Sequence, residues 1–157
     1  MATAQCGIES LSVLLERIDQ LIALFNRKGM DLPEGLFDRK TQFLLNGTAY
    51  ESLLGRSPDD PLILMLTRGP SGYRFIIKAI QHAVPDARIE RGDLVGIEET
   101  MHGLDLWLSG HLRGNEEPIH AVIHLTLTIA SDGCVQKAEA TVDDASLARL
   151  REARLRS

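Results

Sequence analysis

The apolar residues of this chain change their spacing at Pro85. Before Pro85 they recur at three- and four-residue steps, as in residues 8–28, which predicts an amphipathic helix ended at Gly29. After Pro85 they alternate with polar residues, both in residues 104–113 and in residues 119–129. Alternation places successive side chains on opposite faces of a strand. Helices first and strands later, without repeated strand–helix–strand units, predict an α+β fold.

Turn and cap residues divide the N-terminal part further. Residues 73–84 carry apolar side chains at helical spacing and are followed by Pro85, so a second helix is expected there. Asn46-Gly47 is a turn signal that closes a brief strand. The other predictions in this part are a helical turn over 31–37, a strand over 41–45, a helical turn over 49–54 and a helix start over the ambiguous run 61–67.

The C-terminal part is predicted to be a sheet followed by a last helix. Further strands are assigned to residues 87–97 and 134–142, with hairpin turns at 115–118 and 131–133. One face of the strand over 104–113 would carry Leu104, Leu106, Leu108 and Leu112, and the other Asp105, Trp107, Ser109, His111 and Arg113. We therefore expect one domain over residues 1–157, with helices mainly in 8–84, sheet mainly in 87–142 and a C-terminal helix over 143–156.

The composition is that of an ordinary globular domain. With 44% apolar and 25% charged residues among 157, the chain can bury one core. Its net charge of −5 argues against a nucleic-acid partner, because such binding depends on clustered Lys and Arg. The arginines between 149 and 156 end a helix that begins at Asp143 and Asp144, an arrangement that complements the helix dipole.

The cysteines and the N-terminus bear on where the chain is located. Cys6 and Cys134 are too few for a disulfide framework or a Cys-rich zinc site, so we expect a reducing compartment. No basic residue precedes the first apolar segment, and no apolar run approaches the ~18 residues needed to cross a bilayer. A cytoplasmic protein with no membrane partner is therefore expected.

Three phrases of the C-terminal part resemble those of a known family. They are Ala83-Val84-Pro85-Asp86-Ala87-Arg88 at the end of the second helix, Ser109-Gly110-His111-Leu112-Arg113-Gly114 at a strand end, and Ser131-Asp132-Gly133 leading to Val142-Asp143. In their order and spacing, residues 72 to 150 resemble the SnoaL-like polyketide cyclases of the nuclear transport factor 2 and ketosteroid isomerase superfamily. The resemblance implies a cone-shaped, curved antiparallel sheet packed on N-terminal helices, an α+β barrel with a pocket inside.

The resemblance implies two catalytic residues. The family places its acid/base carboxylate at the end of the last long strand, which corresponds to Asp143, and such a base needs an apolar pocket that raises its pKa. The alternative is that Asp143 or Asp144 caps the last helix. His111 matches the family's His after Gly and could orient a substrate oxygen or donate a proton. The alternative for His111 is a place on the strand's polar face, at a dimer surface.

Three more residues are candidates for substrate binding. Trp107 lies on the polar side of its strand, where an indole needs cover from a second subunit or from a ligand. His124 could face a pocket or a partner subunit, and Tyr73 could direct its hydroxyl into the cavity from its helix. His120 and His124 are four residues apart, which on a strand separates them by about 13 Å and excludes a shared metal ion. We expect no metal and no cofactor.

Two functions remain open. The chain could be a cofactor-independent isomerase, cyclase or dehydratase that abstracts a proton from a small, largely apolar carbonyl compound, with Asp143 as base and His111 as polar helper. It could instead be a non-catalytic, dimeric module that binds a small molecule or another subunit. A homodimer is expected in either case, because the sheet face with Trp107, Val122 and His124 needs cover.

Overall fold

The computed structural model describes residue 8 and residues 10–29, 31–33, 35–49 and 67–154. Three helices lie in these ranges: α1 (Leu11–Asn26), α2 (Gly69–Ala83) and α3 (Asp144–Arg154). Helix α1 starts later than the predicted residue 8, because the side chain of Ser10 caps it by accepting a hydrogen bond from the N–H of Val13. Helix α2 starts earlier than the predicted residue 73, with Pro70 in its first turn.

Seven strands form one sheet in the described part of the chain. They are β1 (Phe37–Leu45), β2 (Thr48–Ala49), β3 (Arg88–Arg91), β4 (Val95–Gly96), β5 (Met101–His111), β6 (Pro118–Ile129) and β7 (Val135–Thr141). Their order is β2-β1-β7-β6-β5-β3, and β4 pairs with β5. The α+β class and the curved sheet are confirmed, but the sheet is mixed and does not close into a barrel. The sheet is mixed because β1 runs parallel to β7, while the other pairings are antiparallel.

Several short elements differ from their predictions. No helical turn forms over 31–37 in the described residues, and Phe37 already begins β1, which is longer than the predicted strand over 41–45. Ala49 belongs to β2 rather than to a helical turn. The strand predicted over 87–97 is two strands, because Gly92 interrupts it. The rest of the predicted turn over 49–54, and the run 61–67 apart from Thr67, lie outside the described residues.

The inner face of the sheet is apolar. On β5, Leu104 and Leu108 are buried while Trp107 is 44% exposed, which confirms the predicted alternation. The helices contribute further buried residues, namely Leu14, Ile18 and Phe25 from α1 and Tyr73 and Ile77 from α2. Among the described residues, the buried polar side chains besides that of Tyr73 are Thr41 and Thr67. The outer face of the sheet therefore carries the groups that are accessible to a ligand.

Two asparagines attach distant segments to the sheet. Asn26 at the end of α1 accepts a hydrogen bond from the N–H of Ile89 at 2.8 Å and donates to its carbonyl at 3.0 Å. Asn46 after β1 makes the same pair of bonds with Val142, at 2.8 and 3.0 Å. Each amide side chain thus takes the place of a neighbouring strand. These bonds fix α1 against β3 and fix the chain that leads into α3.

Cys134 is buried and disulfide-bonded, which the sequence did not lead us to expect. Because disulfides are uncommon in reducing compartments, the cytoplasmic location stays a prediction.

None of the helices in the described ranges combines the length and apolar character that crossing a membrane requires.

Candidate functional site

His111 and Asp86 form a hydrogen-bonded pair where β5 meets the junction between α2 and β3. One carboxylate oxygen of Asp86 accepts the backbone N–H of His111 at 2.7 Å, and the other lies 2.6 Å from its ring Nδ1. Gly110 permits this approach, because a Cβ atom there would lie 2.5 Å from Cγ1 of Val84. The backbone and side chain of one residue therefore hold both oxygens of Asp86.

These contacts favour the ionised form of Asp86 and one tautomer of the His111 ring. The hydrogen bond from the His111 side chain, followed by that from its backbone N–H, lowers the pKa of Asp86 below its usual value. An ionised carboxylate can only accept hydrogen bonds, so Nδ1 of His111 carries a proton. In the neutral imidazole, Nε2 then has a free lone pair. The pair thus has the arrangement of a general base and the carboxylate that orients it.

A cleft of about 520 Å³ opens beside this pair. It is lined by Pro85, Asp86, His111, Leu112, Arg113, Gly114 and Glu116. We call it the His111 cleft. Arg113 is fixed at its wall, because its Nε donates to the carbonyl of His82 at 2.6 Å and its backbone N–H to that of Ala83 at 2.8 Å. The cleft thus combines a base, an orienting carboxylate and a cation that can stabilise a developing negative charge.

Asp143 occupies the position of a helix cap. Its carboxylate is exposed and accepts the backbone N–H of Ser146 at 2.9 Å, at the start of α3. This hydrogen bond lowers the pKa of Asp143, whereas a general base at neutral pH needs a raised one. The geometry therefore matches the capping alternative, and the catalytic role of Asp143 stays a prediction without support from its position.

Asp143 is also separate from the His111 cleft. It is not among the residues that line that cleft. Thr141, two residues before Asp143, lies opposite His124 on β6, whereas His111 lies opposite Pro118. The two predicted catalytic residues are not brought together.

Trp107 and His124 lie in a second cleft, of about 410 Å³, on the outer face of β5 and β6. It is lined by Gly92, Asp93, Val95, Ile97, Gly103, Leu104, Asp105, Trp107, His124, Leu125 and Thr126. We call it the Trp107 cleft. Asp105 lies directly across from His124, with its Oδ1 oxygen 2.6 Å from Nδ1 of the imidazole. The predicted histidines are thus distributed over two clefts, each with an aspartate partner.

Sequence reasoning did not single out either aspartate. Asp86 stands in the Pro85-Asp86 phrase that carried the resemblance, and this could have marked it as the partner of the later histidine. Asp105 could have been found from the alternation, since it shares a strand face with Trp107 and His111. Strand register, which pairs residue 105 with residue 124, was the missing information.

Tyr73 lies on the inner side of the sheet, apart from both clefts. It is 5% exposed, its ring centroid is 5.7 Å from that of Phe37, and its buried hydroxyl has no hydrogen-bond partner among the residues that the structure describes. Burial raises the pKa of Tyr73, so the phenol is neutral and can donate. An unpaired buried hydroxyl is costly, which is consistent with a polar contact made by a ligand.

A group of potential metal ligands lies elsewhere. Asp38, Asp132 and Cys134 place one ligand atom each within 4.8 Å of one another. Cys134 is disulfide-bonded and offers no thiolate, while both carboxylates accept backbone N–H groups of nearby turns. This group is therefore part of the turn structure rather than a metal site.

Comparisons with known proteins identify the fold. No family model matches the chain, and no curated protein matches it. A protein with a ketosteroid isomerase-like fold from Catenulispora acidiphila, solved with trimethylamine, has a TM-score of 0.62 and 10% identity over 87% of this chain and 92% of its own. A protein from Jannaschia sp. CCS1, assigned as a SnoaL-like polyketide cyclase, has a TM-score of 0.58 and 10% identity. The match covers 96% of this chain and 100% of that protein.

A third similar structure is SalBIII, an epoxide hydrolase/cyclase-like enzyme of pyran ring formation in salinomycin. Its TM-score is 0.58, with 13% identity over 86% of this chain and 94% of its own. Identities at this level establish the fold alone. The chain therefore has the fold shared by SnoaL-like, ketosteroid isomerase-like and nuclear transport factor 2-like proteins.

Proposed function

We propose that the chain is a cofactor-independent catalyst of proton transfer on a small, largely apolar carbonyl compound, with isomerisation, cyclisation or dehydration as the outcome. The observation that carries this proposal is the 2.6 Å contact between Asp86 and Nδ1 of His111 at the wall of the His111 cleft. His111 takes the role of base that the sequence assigned to Asp143. Asp86 is a positioning residue.

The proposed chemistry begins with proton abstraction. Nε2 of neutral His111 removes a proton from the carbon next to the carbonyl, and the electron pair moves onto the carbonyl oxygen. Asp86 stabilises the imidazolium that forms, and Arg113 stabilises the enolate oxygen. Return of the proton to a different carbon gives an isomer. Attack of the enolate carbon on a second carbonyl gives a ring, and the alkoxide formed there takes the proton back from His111.

Two features support the proposal. Pro85 and Leu112 supply apolar contact in the same cleft, next to the polar groups that proton transfer needs. Two proteins of the same fold are described as a SnoaL-like polyketide cyclase and as an epoxide hydrolase/cyclase-like enzyme. Both descriptions name ring-forming chemistry on the same scaffold.

The test is deuterium exchange, which needs no knowledge of the natural substrate. A panel of cyclic ketones and 1,3-diketones is incubated with the protein in D₂O, and loss of the α-proton signals is followed by NMR. We expect His111→Gln to lower the protein-dependent exchange rate by about 100-fold, the usual contribution of a general base. His120→Gln is the matched control, since His120 is exposed on β6 and lines neither cleft. Undiminished exchange by His111→Gln would refute the proposal.

The role of Asp86 is tested by the pH profile. Asp86→Asn keeps an oxygen for the backbone N–H of His111 but no longer holds the proton on Nδ1. We expect a slower rate and a shifted pH dependence of exchange. A lower rate with an unchanged pH profile would mean that Asp86 is structural only.

The alternative is a non-catalytic binding module. It is favoured by the buried hydroxyl of Tyr73, which has no hydrogen-bond partner among the described residues. In that case the ketones bind without exchange, and Tyr73→Phe weakens their binding several-fold through loss of its hydroxyl donor. Saturation-transfer NMR on the same panel separates the two functions.

A further inference from the structure

The Trp107 cleft combines an indole, aliphatic side chains and carboxylates. Trp107 leans towards the β3–β4 connection, because a Cβ atom at Gly92 would lie 3.1 Å from Cη2 of the indole. The ring is 44% exposed, and Val95 and Ile97 beside it are 55% and 54% exposed. These side chains form an open, apolar wall in which the indole presents its surface to whatever enters the cleft.

The charged groups of this cleft are of one sign. Asp93 and Asp105 line it, and neither Lys nor Arg does. Arg91 is close by and interacts with the charge of Asp93, but its guanidinium donates its hydrogen bonds to Asp19, at 2.5 and 3.2 Å, and to the carbonyl of Gly92 at 3.1 Å. Asp105 uses Oδ1 for His124, while its Oδ2 accepts no hydrogen bond from the described residues. A carboxylate oxygen is therefore free to meet a cation.

We propose that the Trp107 cleft binds a small alkylammonium cation. An indole face attracts a cation through its quadrupole, aliphatic side chains pack against N-alkyl groups, and the carboxylates balance the charge. A bare metal ion does not match, since the indole and aliphatic walls provide no ligand atoms. A neutral apolar molecule makes no use of the Oδ2 oxygen of Asp105, which accepts no hydrogen bond from the described residues. This site is separate from the His111 cleft and does not depend on the proposed reaction.

The experiment compares choline with its neutral isostere 3,3-dimethylbutan-1-ol at matched ionic strength. Binding is followed through the indole N–H signal of Trp107, the chain's one tryptophan, and by saturation-transfer NMR on the ligand methyl groups. We expect saturable shifts of the indole signal with choline, and about tenfold weaker binding of the neutral compound. Equal binding of both compounds, or no shift of the indole signal, would overturn the proposal.

Variants locate the site. Trp107→Leu and Asp105→Asn should each weaken choline binding several-fold while the chain keeps its thermal unfolding midpoint. Glu117→Gln, the same acid-to-amide change about 23 Å along β6 from His124, should leave binding unchanged. If the Trp107→Leu variant binds choline as tightly as the wild type, the cation binds elsewhere on the protein. If Asp105→Asn unfolds the chain, the same measurement is made with Asp93→Asn, because the carboxylate of Asp93 lies in the connection between β3 and β4.

Discussion

At the scale of single residues, Asp143 and Asp86 show how one residue type takes different roles through its hydrogen-bond donors. Both have a lowered pKa, Asp143 because of the backbone N–H of Ser146 and Asp86 because of the side chain of His111. The group that donates to Asp143 is a backbone N–H at the start of a helix. The side chain that donates to Asp86 is an imidazole that borders a cleft. The second arrangement alone has a group that can exchange a proton with a substrate.

Asp143→Ala should lower the thermal unfolding midpoint, whereas Asp143→Asn, an equally good cap, should not. Because the pKa of Asp143 is lower in the folded chain, its stabilising contribution is present above the ordinary value of 3.8 and is lost as pH falls through the folded-state pKa. The difference between wild type and Asp143→Ala should therefore shrink in acid. Loss of exchange activity in Asp143→Asn, with the midpoint unchanged, would restore the catalytic assignment.

At the scale of elements, the sequence predicted β5 and β6 well because both have one buried and one accessible face. It missed the first residues of β1, from Phe37 to Lys40, because Asp31 and Pro33 indicated a helical turn through Phe37. The partner of β1 is β7, which is far away in the chain and parallel, so no hairpin signal marks the pairing. Pairing of distant strands is information that local spacing does not contain.

Asn26 links two such distant elements, and its removal should cost more than that of an exposed asparagine. Asn26→Ala leaves both the N–H and the carbonyl of Ile89 without their partner, which should lower the free energy of unfolding by about 1–3 kcal/mol. Asn115→Ala is the control, because Asn115 is exposed and its side chain accepts, within the described ranges, only the nearby N–H of Glu117. Urea denaturation measures both. Equal losses would mean that the bonds of Asn26 to Ile89 carry no special stability.

At the scale of the whole molecule, the sequence predicted the scaffold better than the site. His111, Trp107 and His124 were chosen from the polar faces of two predicted strands, and they do lie on the outer side of the sheet. The sequence did not show that β5 and β6 place these residues in two clefts. Nor did it show that Asp86, from the α2–β3 junction, lies beside His111 in one of them. Asp143 was assigned by analogy of position, whereas its neighbours in space make it a cap.

The homodimer stays a prediction, made for the sheet face that carries Trp107, Val122 and His124, and we propose that its centre is at Val122. Val122 on β6 is 38% exposed and lies outside the Trp107 cleft, and Lys137 and Glu139 on β7 could pair with their copies across a twofold axis. We expect wild-type protein to be a dimer at micromolar concentration in size-exclusion chromatography with light scattering. Val122→Asp should give a monomer, because the new charge would be buried at the centre of the interface.

Leu11→Asp is the matched control for this experiment, since Leu11 is 48% exposed on α1, far from the sheet's outer face. The same charge placed there should leave the dimer intact. A monomeric wild type, or a Val122→Asp variant that stays dimeric, would contradict the interface. Dissociation of the wild-type dimer by choline would show instead that the second copy covers Trp107, because two occupants of one surface must compete in proportion to their affinities.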